Sequence, residues 1–128
     1  MIVLDTHALI WWSASPHLLS KAARRAIDDA EAIGVSSISA WEIAMLVQKK
    51  RLELDRPVED WVRQAFEQKK MVELPITADI GLYAGSFDDT FHGDPADRII
   101  AATTLLNGSA LVTKDQNLRS MPALRPIW

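Results

Sequence analysis

Acidic residues recur in this sequence where an apolar run gives way to a helical pattern. Asp5 ends "MIVL" and opens "DTHALIWW", Glu42 lies within "SISAWEIAMLV", Asp94 and Asp97 open "DPADRIIAATTLL", and Asp115 follows the apolar stretch of "LVTKDQNL". Carboxylates brought within a few ångströms of one another repel strongly unless they take up protons or hold a cation. An oxygen-only donor set suits Mg²⁺ or Mn²⁺ rather than zinc. Each acid also has a local explanation. Asp5, Asp94 and Asp115 are ordinary N-cap residues, Ser39 and Glu42 have the spacing of a capping box, and Asp97 falls in a first turn where the helix dipole favours negative charge.

Two of these acids carry further hints. On a helix, Glu42 shares its face with Ile38, Ser39, Met45 and Leu46, so its carboxylate is set in an apolar stripe where an unpartnered charge is costly. Asp94 and Asp97 share a face as a like-charge pair, which an Asp94–Arg98 surface pair would relieve. His7, two residues beyond Asp5, can reach a phosphate or metal, but a local hydrogen bond at a helix start is the plainer expectation.

The elements that must position these groups alternate along the chain, as in a layered α/β fold with a mainly parallel sheet. Strands are expected at "MIVL", around Val35 in "AIGVSS", around Val72 to Pro75, and at "SALVT", with "ALRPIW" as an edge strand where Pro126 is tolerated. Helical spacing runs from Leu18 to Ala30, and again from Pro57, in a first-turn position, through Val58, Trp61, Val62, Ala65 and Phe66. "SFDDTFHGD" reads as a loop. In a parallel sheet all strand-to-helix turns lie on one edge, where ligands bind. Asp5, Glu42 and Asp115 therefore line one rim. Asp97 follows a helix and a loop, so this rule does not place it.

A chain of 128 residues fits one domain spanning 1–128. With Lys plus Arg at 14 and Asp plus Glu at 17, the net charge of −3 argues against a basic nucleic-acid coat. There is no cysteine, hence no disulfide framework and no thiolate metal site. Asp5 interrupts any signal-peptide core and no apolar run reaches membrane-spanning length, so a soluble cytoplasmic protein is expected. The adjacent Trp11 and Trp12 cannot both face the core fully, which leaves core packing and an interface as open readings.

These segments together resemble the PIN-domain nucleases, specifically the VapC-type toxins of toxin–antitoxin pairs. "IVLDTHALIWW" resembles the opening acidic strand of that family, "SSISAWEIA" its second acidic motif, "HGDPADRIIAAT" its third and "LVTKD" its fourth. The resemblance implies a doubly wound, mainly parallel sheet of about four to five strands with helices on both faces. It implies Asp5, Glu42, Asp97 and Asp115 as ligands of Mg²⁺ or Mn²⁺, with Asp94 the alternative third acid, in metal-assisted hydrolysis of RNA phosphodiesters. Glu42 or Asp115 would orient the attacking water, and Thr6, Ser39 and Thr113 would support the acids by hydrogen bonds. Arg98, Lys114, Lys49, Lys50 and Arg51 are candidate contacts to the RNA backbone. A cognate antitoxin, with its tail in a groove, and a homodimer are implied partners.

Rival readings remain open on the residues alone. A Mg²⁺-binding phospho-accepting signalling domain also uses an acidic pocket, but its paired acids at the first strand and its closing lysine are missing in that order. Aspartate-based phosphatase chemistry would want an acid where His7 stands. A non-catalytic interaction module needs nothing more than the acids as helix caps.

Overall fold

The run Ile2–Leu4 has no polar face, the mark of a strand covered on both sides, and it forms β1 at the centre of the sheet. The computed structural model describes residues 1–128. Beside β1 stand β2 (Ile33–Ser36), β3 (Met71–Leu74), β4 (Ala110–Val112) and β5 (Pro126–Ile127), in the order β3-β2-β1-β4-β5. Every pairing is parallel, so the sheet is wholly rather than mainly parallel, and Pro126 sits on the edge strand as expected.

Alternating side chains of the strands feed separate cores on the two faces. Leu4, Ile33, Val35 and Val112 pack with α1 (Thr6–Ala14), α2 (Lys21–Asp29), α3 (Ile38–Gln48) and α4 (Val58–Phe66), chiefly through Leu9, Ile27, Ile43 and Trp61. Val3, Leu74 and Leu111 face the other way, onto Ile100 of α6 (Pro95–Leu106) and Leu118 of α7 (Gln116–Arg119). Each such Leu or Ile, once fully buried, stabilises the fold by about 1.5–3 kcal/mol relative to exposure. Helix α5 (Ala78–Ser86) lies outside α6, joined to it through Ile80, Ala84 and Ala102. Gly34 makes room for this arrangement: a Cβ there would lie 2.7 Å from Cδ1 of Leu74 and 3.1 Å from the Met1 sulfur.

Several local expectations need correction. The stretch Leu18 to Ala30 is not one helix. A short 3₁₀ turn, Pro16–Leu18, comes first, and α2 starts afresh after Ser20, whose hydroxyl accepts from the Ala23 N–H. Pro57 is the N-cap of α4 rather than its first helical residue. Ser39 is not a cap at all, because α3 begins one residue earlier at Ile38, whose N–H donates to the Ser36 hydroxyl. That frees Ser39, fully buried, for a side-chain contact.

Candidate active site

The chain moves outward from β1 through β2 to β3, then returns to lay β4 on the other side of β1. The carboxyl ends of β1 and β4 thus flank the point where strand order reverses, the usual ligand crevice of an open α/β sheet. Asp5 leaves β1 there, and its N–H donates to the Val112 carbonyl of β4 at 3.1 Å.

Asp5 is 5% exposed and uses both carboxylate oxygens. Oδ1 caps α1 by accepting from the Ala8 N–H at 2.8 Å, and Oδ2 accepts from the Thr113 hydroxyl at 2.5 Å. Thr113 in turn accepts from the Asp115 N–H at 3.0 Å, so one buried hydroxyl couples the two acid-bearing turns. Asp115 caps α7 through Oδ2, which accepts from the Leu118 N–H.

Glu42 approaches from α3. Its Oε1 accepts from the Thr6 hydroxyl at 2.5 Å. Since Thr6 gives its one proton to Glu42, the neighbouring Ser39 hydroxyl, 2.9 Å away, donates to Thr6. Thr6 therefore supports Glu42 and not Asp5, and Ser39 acts one step further back. Asp94 caps α6 by accepting from the Asp97 N–H at 2.8 Å. The expected Asp94–Arg98 pair does not form: the Arg98 guanidinium turns to the preceding loop and donates to the Phe87 and Phe91 carbonyls. That commitment also removes Arg98 from the free cations at the rim.

The acids act on one another electrostatically. Burial raises the Asp5 carboxyl above its ordinary range against the hydrogen bonds from Thr113 and Ala8, and Asp115 adds to the rise. Glu42 is raised for the same first reason, opposed by Thr6 and reinforced by Asp94 and Asp5. Asp97 is pushed up to about 7 by burial, then by Asp94, Asp115 and Glu42 in that order. Asp97, which strand order alone could not assign, thus lies within electrostatic reach of Asp94, Asp115 and Glu42. No basic side chain offsets the charge by direct pairing, since the ion pairs of the chain are Arg56–Asp55 and Arg63–Asp60, both remote.

Hard oxygen donors, mutual repulsion and the missing ion-pair partner fit a divalent cation in chemistry and charge. No three acidic or histidine side chains stand close enough to enclose one. Asp94 and Asp115 each give one oxygen to a helix N–H and keep the other free of hydrogen bonds, whereas both Asp5 oxygens are engaged, so a cation here would share the Asp5 carboxylate with Ala8 and Thr113.

Other candidates lie as follows. His7 is exposed and makes no side-chain hydrogen bond; it leans on Trp11 at 5.7 Å instead. Trp11 and Trp12 are both half-buried against the first core, Trp11 also meeting Trp128 at 5.5 Å. The Lys114 ammonium lies 6.0 Å from the Trp11 ring centre, immediately before Asp115. Lys49, Lys50 and Arg51 fall at the far end of α3, about 10 Å along the helix from Glu42 at its usual rise, away from the rim.

A family model for the PIN domain matches residues 2–124. The chain belongs to the PIN-domain family. A relative within it, the ribonuclease VapC22 of Mycobacterium tuberculosis, is 42% identical over 126 residues, which are 98% of this chain and 95% of the relative. Among solved structures, a toxin–antitoxin complex from Klebsiella pneumoniae superposes with a TM-score of 0.67 at 19% identity, covering 97% of this chain and 95% of the other. VapBC2 from Rickettsia felis, solved bound to a promoter DNA fragment, gives 0.69 at 16% identity over 98% and 97%. At such identities these likenesses speak for the fold, and the doubly wound PIN sheet is the fold observed. Sequence reasoning did not find the Arg98 clamp on the Phe87–Phe91 loop, because the nearby Asp94 offered a simpler partner for the same cation.

Proposed function

We propose that this PIN-domain chain is a metal-dependent endoribonuclease and the toxin of a toxin–antitoxin pair. The observation that carries this reading is the set of coupled, uncompensated carboxylates at the reversal of strand order. The name and near-full-length similarity of the ribonuclease relative support it. Asp5, Asp97, Glu42 and Asp115 would hold Mg²⁺ or Mn²⁺, with Asp94 beside them. A divalent ion so held supplies Lewis-acid polarisation of the scissile phosphate and lowers the pKa of water.

The chain's own groups do the positioning. Thr113 fixes the plane of the Asp5 carboxylate, and through the Asp115 N–H it ties β1 to the turn before α7. Thr6, backed by Ser39, holds Oε1 of Glu42 and leaves Oε2 to orient the attacking water and accept its proton. Lys114, directly before Asp115, provides positive charge for the RNA backbone. The chain works as a single nuclease domain in the cytoplasm, as a homodimer silenced by a cognate antitoxin; no helix is long and apolar enough to cross a membrane.

Purified wild-type and Asp5→Asn protein should be compared on a mixed RNA pool with Mg²⁺, with Mn²⁺ and with chelator. Cleavage that requires the ion and disappears in the variant is expected. Cleavage that survives chelator, or that survives the substitution, refutes the metal-site reading.

A further inference from the structure

The loop between α5 and α6 and the short helix α7 enclose a cavity of about 380 Å³ that none of the chemistry above uses. Its walls include Tyr83, Phe87 and Phe91, which meet edge to face in series at 5.1 and 5.7 Å. His92, Asn117 and Met121 complete much of the lining. The side chains of Asn117 and His92 make no hydrogen bond within the chain, so their donors and acceptors are open to a ligand.

Two observations define the occupant. No lysine or arginine lines the cavity, and Asp88 does, so it is unsuited to a phosphate and suited to a neutral planar group that presents hydrogen-bond donors. The cavity also adjoins the acid rim. At Gly93 the site of a Cβ lies 2.5 Å from ring carbons of Phe91 and 2.9 Å from Cβ of Asp97, so a cavity wall and a rim carboxylate meet across a single glycine. On the opposite side, α7 begins directly after Asp115. Arg98 holds this wall in shape, bonding the Phe87 and Phe91 carbonyls and lying 5.7 Å from the Phe91 ring centre.

The geometry points to a nucleobase subsite: the cavity receives the base of an RNA nucleotide adjoining the scissile phosphate and selects it. Unpaired RNA bases are recognised by aromatic stacking together with hydrogen bonds to their edges, and this cavity offers both. Phe87 and Tyr83 provide the apolar contact, and Asn117 and Asp88 read the base edge. The inference rests on the ribonuclease reading and deepens it, because it assigns sequence preference to residues outside the acid rim.

The test uses wild type, Asn117→Ala and Phe87→Leu on a randomised single-stranded RNA pool with Mn²⁺, sequencing the cleaved ends. Wild type is expected to prefer one base at a position beside the cut, and both variants to lose about 10-fold or more of that preference. The loss should appear in KM, with kcat and the metal-induced rise in Tm retained. Asn117 is exposed and free of side-chain bonds, so its truncation leaves the fold intact. As a second readout, Asp5→Asn protein is titrated with a short RNA carrying 2-aminopurine at that position. Quenching that Phe87→Leu abolishes is expected. If wild type cleaves RNA but shows no base preference there, or the variants keep the wild-type profile, the subsite is refuted and the nuclease reading stands. If wild type cleaves no RNA with either metal, the nuclease reading falls and the subsite with it.

Discussion

Replacing Asp97 by Asn measures the mutual repulsion of the acid rim directly. In the ion-free protein this carboxyl is raised from 3.8 to about 7, chiefly by burial and then by Asp94, Asp115 and Glu42. At about 1.4 kcal/mol per pKa unit the full shift corresponds to roughly 4 kcal/mol, which solvent screening of a part-exposed group reduces to about 1–2 kcal/mol. A raised folded-state pKa means that the native state binds the proton more tightly than the unfolded chain. The contribution is therefore fully present below the unfolded value, declines as pH rises from about 4, and is gone above about 7. Asn keeps the shape and removes the charge, but it forgoes about 0.5 kcal/mol of favourable interaction with the start of α6. In chelator at pH 8, Asp97→Asn should thus be more stable than wild type by about 1 kcal/mol, a Tm rise of about 3–4 °C for a chain of this size. At pH 4 the two should nearly coincide. Saturating Mg²⁺, at about 100 times its Kd, should stabilise wild type by about 2.7 kcal/mol and invert the order if Asp97 is a ligand as proposed. Thermal melts across pH, with and without the ion, provide the measurement. A variant that melts below wild type at pH 8 in chelator would show that neighbours stabilise the Asp97 charge, and the reasoning would fail.

Other substitutions probe the supports of the site. Thr113→Val removes the donor to Asp5 and the acceptor for the Asp115 N–H at a fully buried position, and should lower stability by about 2–3 kcal/mol in urea titrations; Thr113→Ser should restore most of it. Gly93→Ala forces apart the Phe91 ring and Asp97, so a loss of about 1–3 kcal/mol in melts is expected together with weakened metal binding. Asp5→Asn should change stability by no more than about 0.5 kcal/mol while abolishing metal-induced stabilisation: its amide oxygen can cap Ala8 and its NH₂ can donate to Thr113.

How far the sequence could be read depended on the range of the interaction. The inner strands were legible because a doubly covered parallel strand is apolar on both faces, and "IVL" and "ALV" have no other comfortable place; the edge strands β3 and β5, exposed at Val72, Glu73 and Pro126, followed only from the alternation with helices. The rim positions of Asp5 and Asp115 followed from the same pattern, since strand-to-helix turns share an edge. Asp97 did not follow, because its place depends on the return of the Phe87–Gly93 loop, a path with no period. Ser39 was misread for a related reason. Its spacing to Glu42 matches a capping box, but the helix starts at Ile38, and the serine instead meets Thr6, a residue from another helix. Arg98 likewise had a plausible local partner in Asp94 and took distant carbonyls instead.

The capping and ligand explanations of these acids are not alternatives. A carboxylate that caps a helix gives the N–H groups one oxygen, as Asp94 and Asp115 do, and the other is left without a hydrogen bond within the chain. Capping fixes the Cα–Cβ direction and the rotamer at no loss of negative charge, while the helix dipole tolerates that charge where the acids crowd. The caps therefore position the acids at low conformational cost. Asn fills the capping role and fails the charge role, so its effect on stability and its effect on cation binding should separate at Asp5, Asp94 and Asp115. At Asp97 and Glu42, which cap nothing, no such compensation exists. Their presence among the caps at the reversal of strand order is what a purely structural role for the acids leaves without a cause.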